Sequence, residues 1–210
     1  MIYFCFDYLF DMNKLRKLIR ETIEKAIISE AAVTISDILV NPNIGLVTTK
    51  VGNGVQLDLY DFLKRRVLGT IECVHVADNV FHVTGVAAEP GYGPLMYESG
   101  MMTIYDNGLA PTRSGDVRGT AWEIWRKFYG RDDVGKFPIP ENSRAYSEEY
   151  PEDDYEEDYV IGNTAFTLAP SGGYENLIER TPILMKIHKI SKEEIREQGG
   201  NFFSYKYADS

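Results

Sequence analysis

Cysteine is nearly missing from this chain. Cys5 and Cys73 are the two among 210 residues, which excludes a disulfide framework. Neither stands in a metal-ligand spacing, and His75, His82 and His188 are scattered, so no zinc site or other metal centre is expected. Positive charge is also short: 22 Lys and Arg against 32 Asp and Glu give a net charge of -10 at pH 7. That balance argues against a nucleic-acid-binding surface as the main function. The apolar opening, Met1 to Phe10, is too short to span a bilayer and has no basic leader. Neither a membrane segment nor a secretory signal is therefore expected, and the setting reads as cytoplasmic. No internal repeat and no domain linker stands out before an acidic run at residues 147–158.

What is present is an ordinary globular composition, 44% hydrophobic and 26% charged, long enough for one sizeable core. With Met12 directly before a helix pattern, residues 1–12 read as a leader, disordered or loosely docked, or as a docked edge strand. Residues 13–210 read as a single α/β (α+β) domain. Leu15, Leu18, Ile19, Ile23, Ala26 and Ile27 recur at helical spacing, so 13–29 is an amphipathic helix with a basic first half. It either packs on its own domain or docks on a membrane or another protein.

Strand signals follow. Val33 to Val40 reads as a strand ending at Asn41-Pro42. Gly45–Val51 and Val55–Leu59 flank Gly52-Asn-Gly54 as a hairpin, and Val67–Val76 pairs with Asn79–Val86 across Ala77-Asp78. A helix is expected from Pro94 to about Tyr105, a short strand from Leu109 to Thr112 and a helix from Val117 to Tyr129. The latter places Ala121, Ile124, Trp125, Phe128 and Tyr129 on one face. The acidic run reads as a solvated loop or a dock for a basic partner or a cation. Tyr159–Leu168 and Pro182–Ile190 read as returning strands.

The most informative stretch is Val86-Ala-Ala-Glu-Pro-Gly91-Tyr-Gly93-Pro94, between a buried strand and a helix start. Pro94 suits the first helical position. The amides there and the helix dipole favour an anion, and the glycines admit close approach. Tight packing alone also accounts for two glycines and a proline.

The order of parts around that turn resembles the Gcn5-related N-acetyltransferase (GNAT) superfamily over Leu68 to about Gly130, and is similar to acetyltransferase-like proteins encoded by tailed phages. Gly69-Thr-Ile-Glu72 is similar to the family's glycine-led strand, and Val83-Thr-Gly-Val86 to the strand that lines the pantetheine of an acyl-CoA. Ala88-Glu-Pro-Gly91-Tyr-Gly93 stands where the family has its Gln/Arg-x-x-Gly-x-Gly/Ala pyrophosphate loop, and Ala121-x-x-x-Trp125 where it has an alanine four residues before a tyrosine. The resemblance implies a mixed, mostly antiparallel sheet flanked by helices. It also implies acetyl-CoA as cosubstrate, held by Val86, Ala87, Ala88, Gly91, Tyr92 and Gly93, and a splayed strand pair that exposes backbone to the pantetheine. The acceptor would be a small amine or a basic peptide, in the host cytoplasm if the chain is phage-encoded. A backbone N–H near Val86 or Ala87 would polarise the carbonyl.

Two positions depart from the family. Ala88 replaces the Gln/Arg that heads the loop, and Trp125 stands where a tyrosine supplies a proton that indole does not. Tyr129, one turn on, is either a substitute or a packed aromatic. His82 and Glu72 are the candidate catalytic bases; a satisfied core histidine is the other reading of His82, and Asp78 reads as a turn residue. Met96, Met101 and Met102 either line a pocket or fill core. Tyr60, Phe62, Lys64, Arg65 and Arg66 either meet an adenine and 3′-phosphate or form a surface loop. The non-enzymatic alternative is a protein of this fold that binds a partner through the acidic loop or the N-terminal helix.

Overall fold

A computed structural model describes residues 32–111, 119–140, 160–170 and 172–208. The leader, the 13–29 helix and the 147–158 acidic run lie outside the described residues.

The chain forms an α+β fold on one seven-stranded, mostly antiparallel sheet. In order come α1 (Ile35–Leu39), β1 (Ile44–Val51), β2 (Gly54–Asp61), β3 (Arg66–Ala77), β4 (Val80–Ala88), α2 (Gly93–Thr103), β5 (Gly108–Ala110), α3 (Gly119–Tyr129), β6 (Gly135–Pro138), β7 (Thr164–Thr167), α4 (Gly172–His188) and α5 (Lys192–Ala208). Strand order is β1-β2-β3-β4-β5-β7-β6. Among the described strands only β4 and β5 pair in parallel, and α2 supplies the crossover between them, as a parallel pair requires. The turns that set the meander are chemical: Gly52 sits at φ 55 in the β1–β2 turn, and Asp78 at φ 28 in the β3–β4 turn, as expected of a turn residue.

Alternation along the strands sends side chains to two different layers. Ile71, Cys73 and Val83 join Leu95, Met96, Met101 and Met102 of α2, with Trp125 and Phe128 of α3, in the main core. The three methionines are thus core filler. A Cβ at Gly69 would crowd the Met96 thioether, so the glycine of that strand serves this packing. On the opposite face Val47, Tyr60, Phe62 and Val67 pack with Leu184 of α4 and Ile195 of α5. Tyr60 and Phe62 are fully buried there, which removes them from any adenine site; Lys64 and Arg65 in the adjoining turn and Arg66 at the start of β3 are exposed.

Three sequence expectations are corrected. Val33–Val40 is not a strand. Thr34 and Asp37 close a capping box, with Asp37 N–H donating to the Thr34 hydroxyl (3.3 Å) and Thr34 N–H to the Asp37 carboxylate (2.8 Å), and this nucleates α1. Pro182–Ile190 is not a strand either. Pro182–His188 continues α4, where Leu177, Thr181 and Leu184 share the buried face at helical spacing, while Pro182 lies on the exposed side. Pro94 is the second helical residue of α2, because Gly93 begins it.

Neither α5 nor β6 is among the sequence expectations. Helix α5 starts at a second capping box, with Ser191 N–H on the Glu194 carboxylate (2.8 Å) and Glu194 N–H on the Ser191 hydroxyl (3.1 Å). The sequence Ser191-Lys-Glu-Glu194 carries that signal.

Candidate functional site

Strand β4 pairs with β3 along most of its length, yet with β5 only over Val80–His82. Pro111 follows β5 at once and has no N–H to continue a ladder. The last six residues of β4, Val83–Ala88, run past the end of that pairing. Glu89 N–H donates to the Leu68 carbonyl on β3 (2.8 Å). Antiparallel alternation then turns the backbone groups of Ala87 toward β3, and those of Val86 and Ala88 away from it, onto the side where β5 has ended. Of the two residues named for a polarising N–H, Val86 has the outward one.

The strand leads directly into the glycine turn. Gly91 lies at φ 83, a left-handed conformation that favours glycine, and its carbonyl accepts the Val33 N–H (3.1 Å). Gly93 opens α2 with room: among the described residues a Cβ there would meet only Ile124 of α3, at 3.7 Å. Four amides at a helix start have no partner within the helix. Here Tyr92 N–H is already donated to the Glu89 carbonyl (3.0 Å), and Pro94 has none. Gly93 and Leu95 are left as the donors an anion would meet. Tyr92 therefore shapes the turn but does not contribute its amide, and Ala88 contributes no polar side chain.

Helix α3 stands over this end of α2. Trp125 is buried, with its ring edge-on to Tyr97 (5.0 Å), and it contacts Phe166 (5.1 Å) and Phe128 (6.1 Å). It is a wedge between α2, α3 and β7. Tyr129 is not a packed aromatic. It is 37% exposed, with the Lys136 ammonium 6.0 Å from its ring centre. Arg131 follows α3 and pairs with Asp133 (2.7 Å) and with Glu98 of α2, which fixes the two helices against each other.

The two candidate bases lie on the sheet face opposite α2, diagonally across β3 and β4. His82 is opposite Val74, and Glu72 is two residues along β3, opposite Gly85. His82 is buried at the closed end, where β4 and β5 are joined, whereas Glu72 is half-buried nearer the open end. Cys73 points the other way into the core, and burial pushes its thiol far up, so it is no nucleophile.

A group that sequence reasoning missed sits beside Glu72. Asp58 of β2 is fully buried, and the Gln56 amide nitrogen lies 3.0 Å from each of its carboxyl oxygens. Burial pushes its carboxyl up to about 7 against the opposing pull of Gln56 and Thr70, and the Glu72 charge adds to the rise. Val55-Gln-Leu-Asp-Leu59 alternates like a half-solvated strand. The polar face is in fact covered by α5, a helix absent from the sequence expectations.

No protein-family model, no curated protein and no solved structure matches this chain. Among the described residues, no helix is long and apolar enough to cross a membrane, and no cluster of His, Cys, Asp and Glu could hold a metal ion.

Proposed function

We propose that this chain is an acyl-CoA-dependent N-acyltransferase of GNAT type, acting in the cytoplasm on a small cationic amine or a basic peptide with acetyl-CoA or a similar acyl donor. The observation that carries this reading is the strand–turn–helix path. Past the β4–β5 ladder, the outward backbone of Val86 and Ala88 runs straight to the Gly91–Gly93 turn and the start of α2. That is the layout a pantetheine arm and its pyrophosphate need: backbone for the amides of the arm, and helix-terminal N–H groups for the phosphates. With Gly93 and Leu95 as donors and no side chain from Ala88, the phosphate grip is weaker than the family's loop implies.

In the proposed reaction the acceptor nitrogen attacks the thioester carbonyl carbon. The acceptor ammonium first gives one proton to a base, which frees the lone pair; a C–N bond then forms, the C–S bond breaks, and the thiolate takes the second nitrogen proton and leaves as CoA. Val86 N–H faces the polarised carbonyl oxygen. Glu72 is the better-placed base, directly or through a water, because it is half-buried near the open end while His82 is enclosed. The net charge of -10 favours a cationic acceptor.

A second reading, a non-catalytic protein of this fold, draws on Trp125: at the family's tyrosine position it is a buried core wedge whose indole supplies no proton. Thermal shift with acetyl-CoA and with CoA tests both. A ligand-dependent rise in melting temperature is expected, and no rise at millimolar ligand refutes the acyl-CoA site. Where binding is seen, Glu72→Gln should lower turnover by about 10²–10⁴-fold. Binding with no turnover on any cationic amine supports the second reading.

A further inference from the structure

Helix α5 lies across β1 to β4 on the face that carries Glu72, His82 and Gly85. Among the described side chains of α5, Ile195 is fully buried and Phe202 packs beside it. Two further contacts are close approaches that glycine permits. Gly199 rests on Asp58, where a Cβ would overlap the Asp58 carboxyl oxygen and crowd the Gln56 amide. Phe203 rests on Gly85, where a Cβ would overlap its ring. A hydrogen bond crosses directly from Gln56 Nε2 to the Arg196 carbonyl of α5 (3.2 Å). The same nitrogen faces both Asp58 oxygens, so the buried Asp58 and Gln56 form one polar cluster with the α5 backbone. Consecutive glycines at 199 and 200 weaken α5 as an isolated helix, so its order depends on this docking.

We propose that α5 is a strap over the sheet, held down while Asp58 carries a proton and loosened when that proton is lost, so that its lifting uncovers the face bearing Glu72 and His82. The chemistry around Asp58 decides the sign. From β3 it faces Thr70 and the Glu72 carboxylate, which repels its ionised form. From α5 the Arg196 guanidinium attracts that form from a distance. From β1 it faces Val47, with Thr49 opposite Gln56, neither of which titrates. On β2 itself the Tyr60 phenol is held above its ordinary value by burial, so it stays neutral through this range. The ionised carboxylate is therefore under-compensated beneath the helix, and lifting α5 admits the water it lacks.

Covered, the Asp58 carboxyl is pushed up to about 7, chiefly by burial, and lifting α5 relieves that burial. As pH rises toward 7 the strap's closing constant should therefore fall, by at most about tenfold per pH unit, and be level above it. Hydrogen exchange of the full chain, followed by mass spectrometry from pH 4.5 to 8.5 and corrected for intrinsic rates, reads this directly. Protection of peptides within 192–208 should fall across that window and flatten near pH 7, lying at every pH below that of β2 and β3, which open only with the whole fold. Asp58→Asn should abolish the dependence, and Gly199→Ala should lower α5 protection at every pH. Protection of α5 that does not change with pH, that changes identically in Asp58→Asn, or that is as strong as that of β2 and β3 at every pH overturns the proposal. If Asp58→Asn does not fold, carboxyl 13C titration of the wild-type chain decides: the Asp58 midpoint must coincide with the pH at which α5 protection flattens, and a midpoint near 4 overturns it.

Discussion

Replacing Asp58 with asparagine should remove a large pH dependence of global stability. The native carboxyl titrates at about 7 against an ordinary 3.8. A raised carboxyl means the native state holds a proton that the unfolded chain has released. Stability is therefore full below about pH 4, falls as pH rises to about 7, and is level beyond. Each pH unit in that window is worth about 1.4 kcal/mol, so the whole loss is about 4 kcal/mol. For a domain whose total stability is on the order of 5–15 kcal/mol, this is a substantial share. The capping carboxylates Asp37 and Glu194 act in the opposite sense: hydrogen bonds from their caps hold both below their ordinary values, so they lose stabilisation only as pH falls through those lowered values. They are common to both chains and cancel in the comparison. Urea unfolding at pH 4.5, 6, 7 and 8 should find the two proteins similar at the acid end, with the Asp58→Asn variant more stable by about 4 kcal/mol at pH 8. A difference flat to within about 1 kcal/mol over the whole range would refute the reasoning, because it would mean that Asp58 ionises without strain in the folded chain.

The two glycines of the turn should separate by role. Gly91→Ala forces a Cβ into a left-handed backbone and should cost about 1–2 kcal/mol in urea unfolding; Gly93→Ala meets nothing closer than 3.7 Å and should leave stability within about 0.5 kcal/mol. Trp125→Ala should cost about 3–5 kcal/mol by the same assay, since Tyr97, Phe128 and Phe166 all lose contact with its buried ring; a cost under about 1 kcal/mol would contradict its role as a wedge. The buried Thr181 hydroxyl accepts the Leu46 N–H (3.0 Å) and donates to the Leu177 carbonyl (2.7 Å). Thr181→Val should therefore cost about 1–3 kcal/mol and selectively speed exchange of the Leu46 amide, as an orphaned buried donor requires.

The parts of the fold that can be read from sequence are those with one dominant local signal. Gly52-Asn-Gly54 sets the β1–β2 hairpin, and Asn107-Gly108 stops the helix after the glycine turn near its observed end at Thr103. Two segments mislead because apolar residues run together in both helices and strands. Val33–Val40 contains its own correction in the Thr34…Asp37 box, and Ser191…Glu194 announces α5 in the same way. Pro182 argues for a break, but on the outer side of α4 its missing N–H is tolerated. At the site, the backbone path from Val86 to Gly93 is visible because glycine and proline leave marks in the sequence. The loss of the Tyr92 amide to Glu89 is not visible, since a local turn bond leaves no such mark. Asp58 is hidden for a different reason: whether a polar residue on an alternating strand faces water or a helix is decided by α5, whose Arg196 carbonyl meets Gln56 from 140 residues away along the chain.

Calorimetric titration of acetyl-CoA into the wild-type chain and into Gly93→Arg tests the acyl-CoA site most directly. Among the described residues a Cβ at Gly93 meets nothing closer than Ile124 at 3.7 Å, so the substitution starts without a clash, and the long side chain is expected to block the space before the Gly93 and Leu95 amides. Saturable binding by the wild-type chain, and its loss in the variant at unchanged melting temperature, is the predicted result. Equal affinity in the two proteins, or no heat of binding in either at millimolar ligand, would contradict the account.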